Sequence, residues 1–332
     1  MTWVVWRQHR NQALVAAAGF AVLAVILLIT GRQMASQYQS ALASCSAGHS
    51  CGNLANTLTL GSPGLSVLVT LTVVVPCLLG VFWGGPLVAR ELETGTSQFA
   101  WVQGVPRGRW LATQVGWVLL AAAVWGGAVS ALVTWWSGPE NALKLQNFQP
   151  GQFDIQGIVP AGYAVFAVAL GVAAGTLLRR TLPAMAVTIA LFTVVRLAVG
   201  QDLRARYLAA VTRTFSFLHP PVLPAGSYWL VSGGVVGPGG QLLSSTAHAG
   251  PGISFEGVPV PLSKMPAACQ ALAFQNPREF AACAAGHGYR LQISYQPAGR
   301  YWPFQGIETG LFLVLAAILV AVTVIVVARR DA

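Results

Sequence analysis

No Asp, Glu, Lys or Arg occurs between Arg32 and Arg90, nor between Arg109 and Glu140. Charge-free stretches of this length, rich in Val, Leu, Ala and Trp, have too few polar side chains to face water and call for lipid as their solvent. The whole chain agrees: of 332 residues, 55% are hydrophobic and only 8% are charged, against about 25% charged in an ordinary soluble protein. Soluble enzyme folds are excluded, and a polytopic membrane protein of the cell membrane is expected.

Six segments are long and apolar enough to cross about 30 Å of hydrocarbon as helices: 13–30, 65–89, 111–136, 155–178, 181–200 and 306–328. Ahead of the first, Trp3, Trp6, Arg7 and Arg10 lie on one arc of a helical wheel, and both residue types favour the headgroup level, so residues 1–12 read as an interfacial helix. The apolar run of 13–30 is longer than a signal-peptide core and no clear A-x-A site follows it, which favours an uncleaved span. With the N-terminus inside, the inner segments carry Arg7, Arg10, Arg90, Arg107, Arg109, Arg179, Arg180, Arg329 and Arg330, and the two short outer loops carry only Arg32 and Lys144. This asymmetry places both termini in the cytoplasm. The net charge of +10 has the same origin: no basic run exceeds two residues, so no stripe exists to neutralise successive phosphates, and nucleic acid is not an expected partner.

In that topology Cys45 and Cys51 share the first outer loop, Cys269 and Cys283 share the long outer segment 201–304, and Cys77 lies inside a span. Two outer pairs suit an oxidising exterior, and Cys45–Cys51 and Cys269–Cys283 disulfides are expected. The segment 201–304 reads as a small mixed extracellular domain between the fifth and sixth helices. Its expected elements are a helix over 202–213, a hairpin of 227–231 with 241–244, helices over 266–274 and 277–285, and a strand over 289–295.

Catalytic constellations are missing from the sequence. None of the five histidines lies in a span, no Asp lies deep in one, and there is no H-E-x-x-H, C-x-x-C or G-x-x-x-x-G-K-[ST] motif. No catalytic, metal or cofactor residue is assigned. The informative stretch follows the second span. A short charged helix is expected from about Leu87 to Thr94, ended by Gly95 in the left-handed conformation. Thr96 or Ser97 then caps a second helix through Gln103, and Gly104 and Pro106 terminate it. Phe99, Trp101 and Val102 give that helix an apolar contact surface, at a place where a soluble partner could push on two flanking spans.

The run A-R-E-L-E-T-G-T at 89–96, followed by this short apolar helix and the Val105-Pro106-Arg107 turn, resembles the first cytoplasmic loop of type-2 (ABC-2) ABC exporter permeases. Tyr295-Gln296-Pro297, Arg300-Tyr301-Trp302-Pro303-Phe304-Gln305 and Glu308 look like actinobacterial members of that group. The resemblance implies a non-catalytic permease subunit of an ATP-driven exporter. Its coupling loop 87–110 would dock on a separate ABC ATPase through Arg90, Glu91, Glu93, Gly95, Thr96, Phe99, Trp101 and Val102. ATP and Mg would bind that partner, and a second permease copy or a sister permease would complete the channel. The long outer segment departs from the short re-entrant helices of simpler members. The alternative from a different class is a membrane-anchored receptor or sensor whose outer domain binds a ligand.

Two charges fall inside spans, Arg196 and Glu308. Charged groups in a bilayer are costly and usually find partners, so an Arg196–Glu308 ion pair is expected. Pro76 is expected to kink the second span, and Gly171 with Gly175 to admit a close helix neighbour within the subunit.

Overall fold

The computed structural model describes residues 2–46, 71–94, 107–139, 141, 148, 150–219, 229–243, 253–255 and 258–329. It divides into two compact units, Met1–Arg204 with Trp302–Ala332, and Ala205–Tyr301.

In the first unit, helix α1 runs over Thr2–Ser46 without interruption. A separate interfacial helix over 1–12 is not present. Residues 1–46 contain no proline, so nothing stops the backbone ladder at residue 12. At 1.5 Å per residue its 45 residues reach about 67 Å, more than twice the hydrocarbon thickness. The second span is segmented. A 3-10 turn, Thr72–Val74, leads into α2 (Val75–Leu79), a π turn over Gly80–Gly84, and α3 (Gly85–Thr94). Pro76 sits in the first turn of α2, where its missing N–H costs no intrahelical bond, so the irregularity falls on either side of α2. Helix α4 spans Arg107–Trp136, α5 Pro150–Phe153, α6 Val159–Leu178 and α7 Thr181–Ala198. A π turn (Val199–Leu203) and a 3-10 turn (Arg204–Arg206) prolong α7.

The last span continues the numbering after the second unit. Among the described residues, six helices are long and apolar enough to cross a membrane: Leu14–Ser40, Thr72–Arg90, Ala112–Trp136, Val159–Leu178, Thr181–Arg206 and Ala298–Arg329. The chain is a multi-pass membrane protein with an all-α spanning unit. Helix α6 is its axis. Its Gly, Ala and Val residues are buried almost without a break, and α3, α4 and α7 all pack on it.

The second unit holds a three-stranded antiparallel sheet in the order β1-β5-β2, formed by Val211–Ser216, Arg290–Gln296 and Trp229–Val236. A two-stranded ladder pairs β3 (Ile253–Phe255) with β4 (Val258–Val260). The period-two pattern of 289–295 appears as β5, whose Leu291, Ile293 and Tyr295 enter the core with Phe217, Val235 and Phe280. One expectation fails here and another is met in part. Residues 211–216 form β1 rather than the end of a helix, because their Val-Thr-Arg-Thr-Phe-Ser sequence pairs with Arg290–Tyr295 of β5. The expected hairpin of 227–231 with 241–244 does turn at residues 237–240, with the Gly237 N–H donating to the Gln241 carbonyl and the Leu243 N–H to that of Val235. Its return is a single bridge of Leu242 with Val236, and β2 pairs along its length with β5. Helices α8 (Ala267–Leu272) and α9 (Pro277–Gly286) follow the proline signals, and a Cys269–Cys283 disulfide joins them. Asn276 caps α9 by accepting from the N–H groups of Arg278 and Glu279. Helix α10, Tyr301–Arg329, carries the last span.

Candidate functional site

The start of α3 and the π turn before it are packed on glycine. A Cβ placed on Gly84 would stand 2.5 Å from the Val168 carbonyl oxygen, and one on Gly175 2.7 Å from that of Gly85. One on Gly171 would meet the Gly80 carbonyl and stand 2.7 Å from the Gly85 nitrogen. The backbones of the π turn, α3 and α6 are therefore in direct contact, with no side chains between them to absorb a displacement. At the far end of α3, Glu93 Oε2 accepts from Thr181 Oγ1 at 2.8 Å and from the Thr181 backbone N–H at 3.3 Å. Arg180, the residue that precedes α7, has no capping side-chain bond of its own. The Glu93 carboxylate serves as that cap from another helix and complements the positive end of the helix dipole. The Thr181 hydroxyl, then its backbone N–H and the nearby Arg180 charge, hold the Glu93 carboxyl below its ordinary value.

At the opposite end of α6, four charged side chains meet. Arg204 donates from Nε to Glu308 Oε2 at 2.8 Å, and from Nη2 to Glu308 Oε1 at 2.6 Å and Asp154 Oδ1 at 2.5 Å. Arg196 Nη2 lies 3.2 Å from Asp154 Oδ2, and its Nη1 donates to the Val73 carbonyl at 3.0 Å. The Tyr163 hydroxyl donates to Glu308 Oε1. The two guanidinium groups also lie over rings, Arg204 over Phe153 at 4.4 Å and Arg196 over Tyr163 at 4.9 Å. Ionised, two Arg, Asp154 and Glu308 sum to zero, which is what a low-dielectric site requires of its charges. Glu308 is 0% and Arg204 2% exposed. Asp154 is the accessible end and borders a small cleft with Thr72, Pro76 and Ser130.

Beside this network Gln305, also fully buried, caps α6. Its Oε1 accepts from the backbone N–H groups of Ile158 and Val159 at 2.9 Å each, and its Nε2 donates to the carbonyls of Phe153 and Gln156 at 3.2 Å. Gly157, at φ 74°, lets the chain turn against it, since a Cβ there would stand 2.6 Å from Gln305 Oε1.

The ion pairing differs from the sequence expectation. Arg196 takes Asp154 and the Val73 carbonyl, while Glu308 takes Arg204 and Tyr163. The reason is helical phase. Eight residues at about 100° each leave Arg204 about 80° away from Arg196 on a regular helix, which hides it from a periodicity reading. The π turn over Val199–Leu203 absorbs one residue, so the eight occupy nearly two whole turns and both Arg side chains reach Asp154. Of the expected coupling residues, Arg90, Glu91 and Glu93 lie on α3, while Gly95, Thr96, Phe99, Trp101 and Val102 lie outside the described residues. Cys51, one half of the expected Cys45–Cys51 disulfide, also lies outside them. Asp154, Tyr163, Arg204 and Gln305 were missed as site residues. The only signals for them were the acidic residue just ahead of the fourth span and the Trp-Pro-Phe-Gln run at 302–305.

A family model described as ABC-2 membrane transporter related matches residues 17–204. No curated protein and no solved structure matches the chain.

Proposed function

The chain belongs to the ABC-2 membrane transporter related family, and from that premise we propose that it is the transmembrane permease subunit of an ATP-driven exporter. In this reading both termini lie in the cytoplasm and the Ala205–Tyr301 unit lies outside the cell. The loop that α3 enters docks on a separate ABC ATPase, which supplies ATP binding, Mg and hydrolysis. A second permease copy or a sister permease completes the path, and this chain contributes coupling and a substrate-facing surface without covalent chemistry.

The observation that carries the reading is the rigid linkage of α3. Its glycine seam with α6 has no side-chain cushion, and its Glu93 caps α7. A push on residues 95–106 is thereby passed by α3 directly to α6, while the exposed Glu93–Thr181 contact lets α7 adjust. Packed interfaces of this kind shift between discrete arrangements rather than deforming smoothly. The test is reconstitution of the chain with its ATPase in liposomes. Glu91→Lys and Gly95→Pro are expected to leave insertion and ATPase binding intact while transport per ATP falls at least tenfold. Unchanged transport per ATP in both variants contradicts the coupling role.

A further inference from the structure

His287 closes helix α9 one turn beyond Cys283, its backbone N–H donating to the Cys283 carbonyl. Positions i and i+4 share a helix face, so the imidazole stands over the disulfide that joins α9 to α8. Its Nδ1 lies 3.8 Å from Cys269 Sγ and 3.8 Å from Cys283 Sγ. The three atoms are mutually within 4.8 Å, with Cys269 buried, Cys283 half-buried and His287 exposed. Neither sulfur is a thiolate while the disulfide is intact, and Nδ1, 2.9 Å from the Cys283 carbonyl oxygen, donates its proton there.

We propose that reduction of the Cys269–Cys283 disulfide turns these three side chains into a binding site for a thiophilic d10 metal ion, zinc(II) or copper(I). The argument is geometric. Metal–sulfur bonds of about 2.3 Å and metal–nitrogen bonds of about 2.05 Å place S and N about 3.5 Å apart at a tetrahedral angle and about 3.8 Å apart at a trigonal one. Both nitrogen–sulfur edges already have that length. Only the sulfur–sulfur edge has to open, and breaking the bond opens it, because non-bonded sulfur atoms cannot stay at covalent separation. Thiolate and imidazole together are the donor set that zinc and cuprous ions prefer. The pattern escapes the usual sequence motifs because the two cysteines are 14 residues apart on different helices.

The chemistry balances with a dithiol as reductant. Its thiolate attacks the half-buried Cys283 Sγ, and Cys269 leaves as a thiolate and takes a proton. The reductant's second thiolate then closes its own disulfide and releases Cys283. Metal binding releases the two thiol protons. The Nδ1 proton is lost to solvent as Nε2 gains one, so the imidazole stays neutral. Oxidised, the site is a staple between two helices; reduced, it is a ligand set.

The test uses the full chain in detergent with Cys45, Cys51 and Cys77 replaced by Ser, so that no other thiol contributes. One sample is kept oxidised. The other is reduced with a water-soluble phosphine and desalted without oxygen. Each is titrated with zinc(II) or copper(I) against a chromophoric chelator. The reduced chain is expected to hold one equivalent of at least one of the two ions and the oxidised chain none. His287→Ala is expected to weaken binding at least tenfold, and bound metal to slow alkylation of Cys283 at least tenfold. The oxidised-against-reduced comparison needs no variant of the site to fold. A reduced chain that holds no more of either ion than the oxidised chain overturns the proposal, as does His287→Ala binding as tightly as its parent.

Discussion

Helices α6 and α7 both begin without a capping side chain of their own, and both borrow one from another helix. For α6 the cap is Gln305, neutral and sealed from solvent beside the four-charge network. For α7 it is Glu93, charged and exposed at the end of α3. The difference separates a fixed joint from an adjustable one. A buried amide that makes four hydrogen bonds has no water to replace a lost partner, so it holds a single arrangement. An exposed carboxylate exchanges its partners for water at small cost. The Gln305 end of α6 is thus the anchor, and the contact of Glu93 with Thr181 is the one that exchanges readily.

The comparison breaks most visibly at the charge network. Glu308→Ala leaves Arg204 buried with one carboxylate fewer and is expected to lower stability by about 3–5 kcal/mol, read as a loss of thermal stability in detergent. Arg204→Met combined with Glu308→Leu is expected to be more stable than either single change, because removing both partners leaves Asp154 paired with Arg196. A smaller effect, about 2–3 kcal/mol, is expected for Gln305→Ala, which orphans two N–H groups at the start of α6. Gly171→Ala forces the backbones of α6 and the π turn apart and is expected to cost about 1–2 kcal/mol. Gly116→Ala, with nothing within 4 Å of the added carbon, is expected to change stability by less than about 0.5 kcal/mol.

The smallest effect belongs to the exposed cap. The Thr181 bonds hold the Glu93 carboxyl below its ordinary value of 4.5. Its contribution is therefore complete above that pH and lost as pH falls through the lowered value. Glu93→Gln is expected to remove this acid-side dependence while leaving neutral-pH stability nearly unchanged. Acid titration of the melting temperature for both proteins checks it, and identical profiles would deny Glu93 the capping role.

The spanning unit was legible because lipid imposes a simple code: long charge-free runs could only be helices, and the Gly171/Gly175 spacing announced a close neighbour. In the second unit, Pro266 and Pro277 marked the two helix starts and the alternation of β5 marked its buried face. Residues 211–216 misled because a charged residue among threonines has no clear period, and their strand character comes from pairing with β5. The charge network was half visible. Arg196 and Glu308 stood out as charges inside apolar runs, but their partners lay just beyond the expected span ends. The π turn that brings Arg204 into phase leaves no mark in composition. Gln305 carries no charge, and its cap depends on a turn about 147 residues earlier, which no local pattern encodes.

The role proposed for residues 95–106 is to be driven by an ATPase. Its most direct test is photo-cross-linking from position 99 or 101 in native membranes, with the products identified by mass spectrometry. A cross-link to a subunit carrying the phosphate-binding loop of an ABC ATPase, with a yield that changes when ATP is trapped, is the predicted result. Cross-links only to lipid or to this chain itself, unchanged by nucleotide, would contradict it.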